Sequence, residues 1–321
     1  MVLGDGIRRN IAFVDEAERK RFQNAILALK RQQHFPDNYS YWDKQNHIHR
    51  NAHSGGMNIH RGAAFLPWHR EMCNRFEKLL RIVDPELSLH YWDWTQDPTN
   101  ISTPNGTINL FTSEFMGAAV GDVGEPFNDF YSDEFRDGFT DPEGNLHEKL
   151  WRNLNTGFGS GKPDTSDDDL VISSADLEDE KLQYKVFSTE LQRNHNIAHG
   201  YIGGCLSNDQ YSFHDFFVFL LHSNVDRLFA RWQTRHDKPP NQIFSWRLLP
   251  NRVYGHSLLS SIPLRDDVHP WAAIKQPLIR PWAPPDNWQT NPPNGWPIKE
   301  GLKKYTDITI VTPPKYDTND T

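Results

Sequence analysis

Cysteines and long apolar runs are scarce in this chain, and each scarcity excludes a class of protein. The 321 residues include only two cysteines, Cys73 and Cys205, which do not make a disulfide framework. No stretch approaches the roughly 18 consecutive apolar residues of a membrane-spanning helix. The N-terminal residues lack the apolar segment of a secretory signal. We therefore expect a cytoplasmic protein without membrane contact, with export alongside a partner that carries the signal as the alternative.

Basic residues are too few for a nucleic-acid-binding surface. Lysines and arginines number 34 against 42 aspartates and glutamates, which gives a net charge of −8 at pH 7. Phosphate contacts need clustered positive charge, so we expect no nucleic-acid partner. A length of 321 residues with 37% hydrophobic residues is sufficient for a sizeable buried core.

Apolar periodicity predicts a mainly α-helical core. Trp42 and His49 are seven residues apart, so a single helix over this part of the chain would place them on the same face. Residues 95–185 are rich in Pro, Gly and Asn and predict loops, with the acidic run Asp164–Asp169 interpreted as a solvated loop. The helical stretches are predicted at residues 14–31, 67–80, 186–199 and 213–233.

The chain is predicted to form a single domain over residues 1–321. The helical core occupies about residues 1–236, and a mostly irregular segment over about 237–321 wraps around it. The latter is rich in Pro and Trp, and its best candidate strand is Thr306–Val311.

Two groups of histidines carry the chemistry. In the later group, His195 and His199 are four residues apart, so on a helix their side chains lie about 5–6 Å apart at Cβ and can face one metal ion. His222 follows in a strongly apolar helix. Asp226, four residues further on, is a candidate acceptor for a ligand N–H group or a partner for Arg227 or Arg231.

The earlier group contains His60 and His69. Nine residues separate them, which places them on opposite sides of any continuous helix. Pro67 suits the first turn of a helix, so His60 is placed in the preceding loop and His69 in the new helix. Each histidine group supplies three neutral imidazoles, a ligand set that suits copper, so the two groups would hold two copper ions. Two such ions side by side can bind O2 between them.

Short motifs surround these histidines over most of residues 40–232. They are Phe65-Leu-Pro-Trp-His69-Arg70, Tyr91-Trp-Asp-Trp94, His195-Asn-x-x-His199, Gly203-Gly204 and Asp215-x6-His222-x-Asn-Val-Asp226-Arg227. In combination they resemble the type 3 copper proteins, which include tyrosinases, catechol oxidases and molluscan haemocyanins. Ile7-Arg-Arg-Asn10 and the late Tyr316-Asp317 look like the ends of bacterial-type members.

The resemblance implies a four-helix-bundle core that holds a dicopper site. His47, His49 and His53 all precede His60, and we choose His49 as the first ligand because Trp42 matches an aromatic residue that the family often places seven residues earlier. His53 and then His47 are the alternatives. The implied ligands are His49, His60 and His69 for the first copper ion, CuA, and His195, His199 and His222 for the second, CuB.

Two positions depart from the family pattern. Many members have His-His where this chain has Leu221-His222, and the trailing Asn-Val-Asp-Arg assigns the ligand to His222. Some members link a cysteine to the second CuA histidine, two residues before it. Asn58 occupies that position here, so no such link is expected.

The resemblance also implies the reaction and its partners. We expect an enzyme of melanin-biosynthesis type that uses O2 to hydroxylate monophenols and to oxidise o-diphenols to o-quinones. A catechol oxidase, an o-aminophenol oxidase and a haemocyanin-like O2 carrier are the alternatives. In tyrosinases, a water held by a glutamate and by the asparagine after the first CuB histidine takes the phenol proton, and Glu190 and Asn196 are the candidates here. A copper-delivery partner and a homo-oligomer are both compatible with the sequence.

Overall fold

The fold was obtained as a computed structural model. It describes residues 3–32, 39–54, 59–60, 65–130, 139–140, 144–155, 161–173, 180–235, 248–249, 252–253 and 314–318. Within these residues it is mostly helical, with short strands in antiparallel pairs. The helices are α1 (Glu16–Arg31), α2 (Asp43–Ser54), α3 (Phe65–Val83), α4 (Thr165–Ser173), α5 (Glu180–Ile202) and α6 (Phe217–Thr234).

The strands form four two-stranded ladders and no larger sheet among the described residues. They are β1 (Ile101–Thr103) with β2 (Gly106–Ile108), β3 (Val120–Asp122) with β6 (Trp151–Asn153), β4 (Phe139–Thr140) with β5 (Leu146–His147), and β7 (Leu248–Leu249) with β8 (Arg252–Val253). The mainly α-helical class is confirmed.

Helix α1 begins and ends where its charges favour it. The side chain of Asp15 accepts a hydrogen bond from the backbone N–H of Glu18, which caps the first turn. Acidic residues occupy that turn, and Lys30 and Arg31 occupy the last, as the helix dipole favours. The predicted stretch at residues 14–31 is therefore confirmed to within two residues.

Helix α6 is the centre of the core. Its residues are buried on all sides from Phe217 to Ala230, which is typical of a helix enclosed by other elements. Phe219 stacks on Phe76 of α3 with ring centroids 3.6 Å apart. Trp42 contacts both of these rings and lies immediately before α2, which begins at Asp43, one residue later than the expected helix.

The interpretation of the acidic run as a solvated loop was also wrong. Most of the run lies in α4, and Asp168 is buried against α5 and α6. Trp94 Nε1 donates a hydrogen bond of 2.9 Å to Asp168 Oδ1, which gives the carboxylate a polar partner inside the protein.

The two ends of the chain meet beside the bundle. Arg8 forms an isolated bridge with Tyr316, and Asn10 forms one with Tyr91. Most of the predicted wrapping segment, with the candidate strand Thr306–Val311, lies outside the described residues. No helix in the described part of the chain has the length and apolarity needed to cross a membrane.

Candidate metal centre

Four helices and one turn bring the six predicted ligands together. In the first group, Nε2 of His49 on α2 lies 3.0 Å from Nε2 of His60, which lies in the turn at residues 59–60. His69 on α3 completes the group, and one nitrogen of each ring lies within 4.8 Å of the others. The choice of His49 is confirmed.

The second group is built from α5 and α6. His195 and His199 lie one turn apart on α5, with ring centroids separated by 4.3 Å. His222 on α6 brings its Nε2 atom to 3.1 Å from Nε2 of His195. One nitrogen of each of these rings also lies within 4.8 Å of the others.

Hydrogen bonds at Nδ1 fix which nitrogen faces the centre in four of the six rings. The Nδ1–H groups of His69, His199 and His222 donate to backbone carbonyls, namely those of Phe65 at 2.8 Å, Leu206 at 2.6 Å and Val218 at 2.9 Å. Nδ1 of His195 donates to Oδ1 of Asn196 at 2.9 Å. A neutral imidazole with hydrogen at Nδ1 carries its lone pair at Nε2.

With these tautomers the Nε2 lone pairs face one another without a donor, which is the arrangement that a metal ion requires. Nε2 of His195 and Nε2 of His222 face each other at 3.1 Å, and both carry lone pairs, so neither can donate to the other. The Nε2 atoms of His69 and His199 are buried and have no hydrogen-bond partner among the described residues. One cation within each group satisfies the nitrogens of that group, and imidazole nitrogen suits copper.

Burial keeps the ligand rings neutral. Desolvation, followed by the proximity of the other histidines, lowers the pKa of four rings well below its usual value of 6.5, and these are His49, His69, His195 and His222. Desolvation lowers the pKa of His199 to about 4. At pH 7 these imidazoles are therefore uncharged, which is the form that binds metal.

The two groups form one centre. The rings of His69 and His222 stack at 4.7 Å with planes inclined by 9°, and the rings of His60 and His195 lie 6.3 Å apart. Phe65 lies edge-on to both His69 and His195, at 5.0 Å from each. The six ligands thus enclose a compact space between the bundle helices.

A glycine pair after α5 shapes the wall of the second group. Gly203 and Gly204 have positive φ values of 70° and 57°, and a Cβ atom on Gly203 would lie 2.5 Å from the backbone oxygen of Asn153. Only glycine permits this close approach of the turn to β6. The turn then presents the Leu206 carbonyl to His199.

The other predicted residues have different surroundings. The ring of His47 lies 4.6 Å from that of Tyr39. Glu190 is partly exposed, and its Oε2 lies 3.1 Å from Nε of Arg193. Asn196 is exposed beside His195, and Leu221 is fully buried. A water shared by Glu190 and Asn196 stays a prediction.

The expected partners of Asp226 were wrong. Its carboxylate contacts Arg8 and Arg70 instead of Arg227 or Arg231, and it does not accept from His222. Sequence reasoning also missed Phe213, whose ring lies 4.2 Å from that of His49. Phe213 lies in the long apolar stretch before His222, and no local pattern separates it from ordinary core residues.

Comparison with known proteins agrees with this geometry. A sequence model of the common central domain of tyrosinase matches residues 36–235, which contain all six histidines. The tyrosinase of Streptomyces antibioticus is 28% identical over 256 residues, covering 73% of this chain and 85% of that protein. A putative tyrosinase-like protein, tyr-3, of Caenorhabditis elegans is 29% identical over 233 residues, and the match covers 72% of this chain but 31% of that protein.

A similar fold occurs in a functional unit of octopus hemocyanin, with a TM-score of 0.52 and 16% identity. The match covers 98% of this chain and 69% of that one. The predicted four-helix-bundle core with two ligand groups is therefore confirmed at the level of fold. Because the family match spans more than half of the sequence and both histidine groups, the chain belongs to the tyrosinase family of type 3 copper proteins, and its two triads are the ligands of CuA and CuB.

Proposed function

We propose that the protein is a phenol oxidase that uses O2 to hydroxylate monophenols to o-diphenols and to oxidise o-diphenols to o-quinones. The observation that carries the proposal is the facing pair of Nε2 lone pairs on His195 and His222, with a second imidazole triad against it. Relatives named tyrosinase in Streptomyces species support the same reaction.

Two bound copper ions would supply O2 binding and the transfer of electrons from the phenol. The chain supplies the arrangement in which this takes place. Fixed acceptors at Nδ1 hold the rings of His69, His199 and His222 in one orientation each. The buried rings of Phe65 and Phe213 pack on the ligand imidazoles and exclude water from that side.

A monophenol must also lose its hydroxyl proton, and the proposal assigns this to the α5 surface beside CuB. The exposed carboxamide of Asn196 accepts from His195 through Oδ1, which leaves its NH2 group to hold a water or the phenol oxygen. The water is the proposed proton acceptor, and Glu190 would have to exchange its contact with Arg193 to hold it.

The test uses copper-loaded protein and follows quinone absorbance with tyramine, with 4-methylcatechol and with o-aminophenol in separate reactions. Quinone from both tyramine and the catechol supports the proposal. Oxidation of the catechol or the aminophenol alone would make the protein an oxidase without monophenolase activity. No oxidation, with two copper ions per chain and reversible O2 uptake, would indicate an O2 carrier.

Three further expectations belong to the same proposal. Copper delivery by a partner protein, assembly into a homo-oligomer and a cytoplasmic location stay predictions. Size-exclusion chromatography with light scattering measures the assembly. Copper loading of purified metal-free protein by copper salt alone would show that no delivery partner is needed.

A further inference from the structure

His60 differs from the other five ligands in what holds it. Those five lie on helices α2, α3, α5 and α6, whose backbones fix the starting point of each side chain. His60 lies in the turn at residues 59–60. The orientation of its ring therefore depends on side-chain contacts more than that of any helical ligand.

A neighbouring histidine makes that contact. Nδ1 of His53 lies 3.1 Å from Nδ1 of His60, and the two ring centroids are 5.1 Å apart. On its other side, Nε2 of His53 lies 3.3 Å from Oδ2 of Asp209. Asp209, His53 and His60 thus form a row that ends at Nε2 of His49, 3.0 Å beyond Nε2 of His60.

The proton positions along this row follow from the metal-binding role of His60. To offer a lone pair at Nε2, beside His49, the ring must carry its hydrogen at Nδ1. That hydrogen faces Nδ1 of His53, which must then be the acceptor. A neutral His53 that accepts at Nδ1 carries its hydrogen at Nε2, where the Asp209 carboxylate lies. Each assignment agrees with the next.

We propose that His53 is a positioning residue for the CuA ligand His60, and that Asp209 holds His53 in the accepting tautomer. The inference rests on the proposed function, because it takes His60 as a copper ligand of the oxidase. A hydrogen-bond acceptor at the outer nitrogen of a ligand histidine fixes the ring and raises its basicity. His53 therefore makes copper binding at CuA tighter, although it does not contact the metal.

The exposed fractions of the His53 and Asp209 side chains predict which of the two residues matters more for copper retention. The side chain of His53 is 31% exposed and that of Asp209 is 60% exposed, so water competes with the carboxylate more than with the imidazole. Loss of Asp209 is therefore expected to weaken copper retention less than loss of His53. Water is a poorer substitute for the His53 ring, because that ring is held directly against His60.

The experiment measures the rate at which a chelator removes copper(I) from the fully loaded protein under argon. His53→Phe keeps the ring size but removes the acceptor, and we expect copper loss from one of the two sites to be about 10-fold faster. His53→Gln retains an acceptor oxygen and is expected to restore most of the retention. His47→Gln, on the same helix but in contact with Tyr39, is the matched control and is expected to leave the rate unchanged.

A second readout is independent of turnover. In the copper(I)-loaded protein with 15N-labelled histidine, His53 is expected to show the Nε2–H tautomer and His60 the Nδ1–H tautomer. Asp209→Asn, at a largely exposed position, is expected to speed copper loss less than His53→Phe does. If His53→Phe does not fold, Asp209→Asn serves as the test in its place. Equal copper retention in wild type, His53→Phe and Asp209→Asn, or an Nδ1–H tautomer at His53, would overturn the proposal.

These results separate the inference from the proposed function. If the wild-type protein oxidises no phenol but His53→Phe still loses copper faster than His47→Gln, the positioning role stands and the oxidase assignment fails. If phenols are oxidised and the wild type, His53→Phe and Asp209→Asn lose copper at the same rate, the oxidase assignment stands and the role of His53 fails.

Discussion

Nη1 of Arg8 donates to Oδ2 of Asp226 across 2.9 Å, and both side chains are almost completely buried. Asp226 lies one helical turn beyond the copper ligand His222 on α6. The same carboxylate also contacts Arg70 and accepts from the hydroxyl of Tyr316 at 2.9 Å. One side chain therefore joins the N-terminal segment, the segment at residues 314–318 and the helix that carries a CuB ligand.

Replacement of Arg8 is expected to destabilise the whole domain. Arg8→Ala would leave the buried carboxylates of Glu77 and Asp226 without this cation, at a cost of about 3–5 kcal/mol in the free energy of unfolding. Arg9→Ala is the matched control, because the pair of Arg9 with Asp5 lies near the surface and should contribute less than about 1 kcal/mol. Urea unfolding at pH 7 measures both, and equal losses would contradict the prediction.

Removal of copper is expected to lower the thermal stability. Buried Nε2 atoms that face one another gain a shared partner only when metal is bound, so copper binds the folded chain in preference to the unfolded chain. Free copper at 100 times its Kd would add about 2.7 kcal/mol for one site. Calorimetry with and without copper tests this, with magnesium as the control ion. An unchanged Tm would argue against preformed sites.

The site was largely predictable because its ligands recur at short spacings. The i, i+4 relation of His195 and His199 requires only a helix, and Pro67 separates His60 from His69. The first CuA ligand was harder to assign, because His49 and His53 are also four residues apart and share a face of α2. The structure places them on opposite nitrogens of His60, an arrangement that depends on a turn and leaves no trace in local periodicity.

The fold was predictable where the apolar periodicity of the sequence is strong. It was not predictable where the burial of a residue depends on partners far away in the sequence. Helix α1 shows acidic and basic residues at its expected ends. The run of aspartates in α4 looks like a solvated loop, because charge alone indicates solvent. Its burial depends on Trp94, more than 70 residues earlier in the chain, whose indole N–H finds Asp168 only in the folded protein.

Asp168 is expected to make the protein less stable as the pH rises. Burial raises the pKa of this carboxyl from 3.8 to about 6, so between about pH 4 and pH 6 the folded chain binds more protons than the unfolded chain. The free energy of unfolding then falls as the pH rises through this range. At pH 7 the contribution lost is up to about 3 kcal/mol, at 1.36 kcal/mol for each pKa unit.

Asp168→Asn removes this titration and keeps an oxygen that can accept from Trp94. We expect the variant to be more stable than wild type at pH 7 and the difference to shrink towards pH 4. Asp169→Asn, at the adjacent exposed position, should change the free energy of unfolding little at either pH. Urea titrations at the two pH values measure the differences. A destabilised Asp168→Asn variant at pH 7 would mean that the charge is needed by its neighbours.

Asn196 is expected to distinguish the two halves of the proposed reaction. Its Oδ1 accepts from His195 at 2.9 Å, while the rest of the carboxamide faces solvent beside CuB. If the carboxamide also holds the group that takes the phenol proton, Asn196→Ala should lower kcat/KM for tyramine about 10- to 100-fold more than kcat/KM for 4-methylcatechol.

The alternative role for Asn196 is purely to orient His195, and it leads to a different result. A misplaced CuB ligand would slow both substrates equally and would lower the copper content, since the metal serves both reactions. Asn196→Asp retains an acceptor for the His195 N–H group and should preserve copper in either case. Glu190→Gln removes the carboxylate proposed to hold the proton-accepting water without touching His195, and a selective loss of tyramine turnover would support a role for Glu190 beside Asn196. If Glu190→Gln matches wild type on both substrates, the only role left to Glu190 is its surface pair with Arg193.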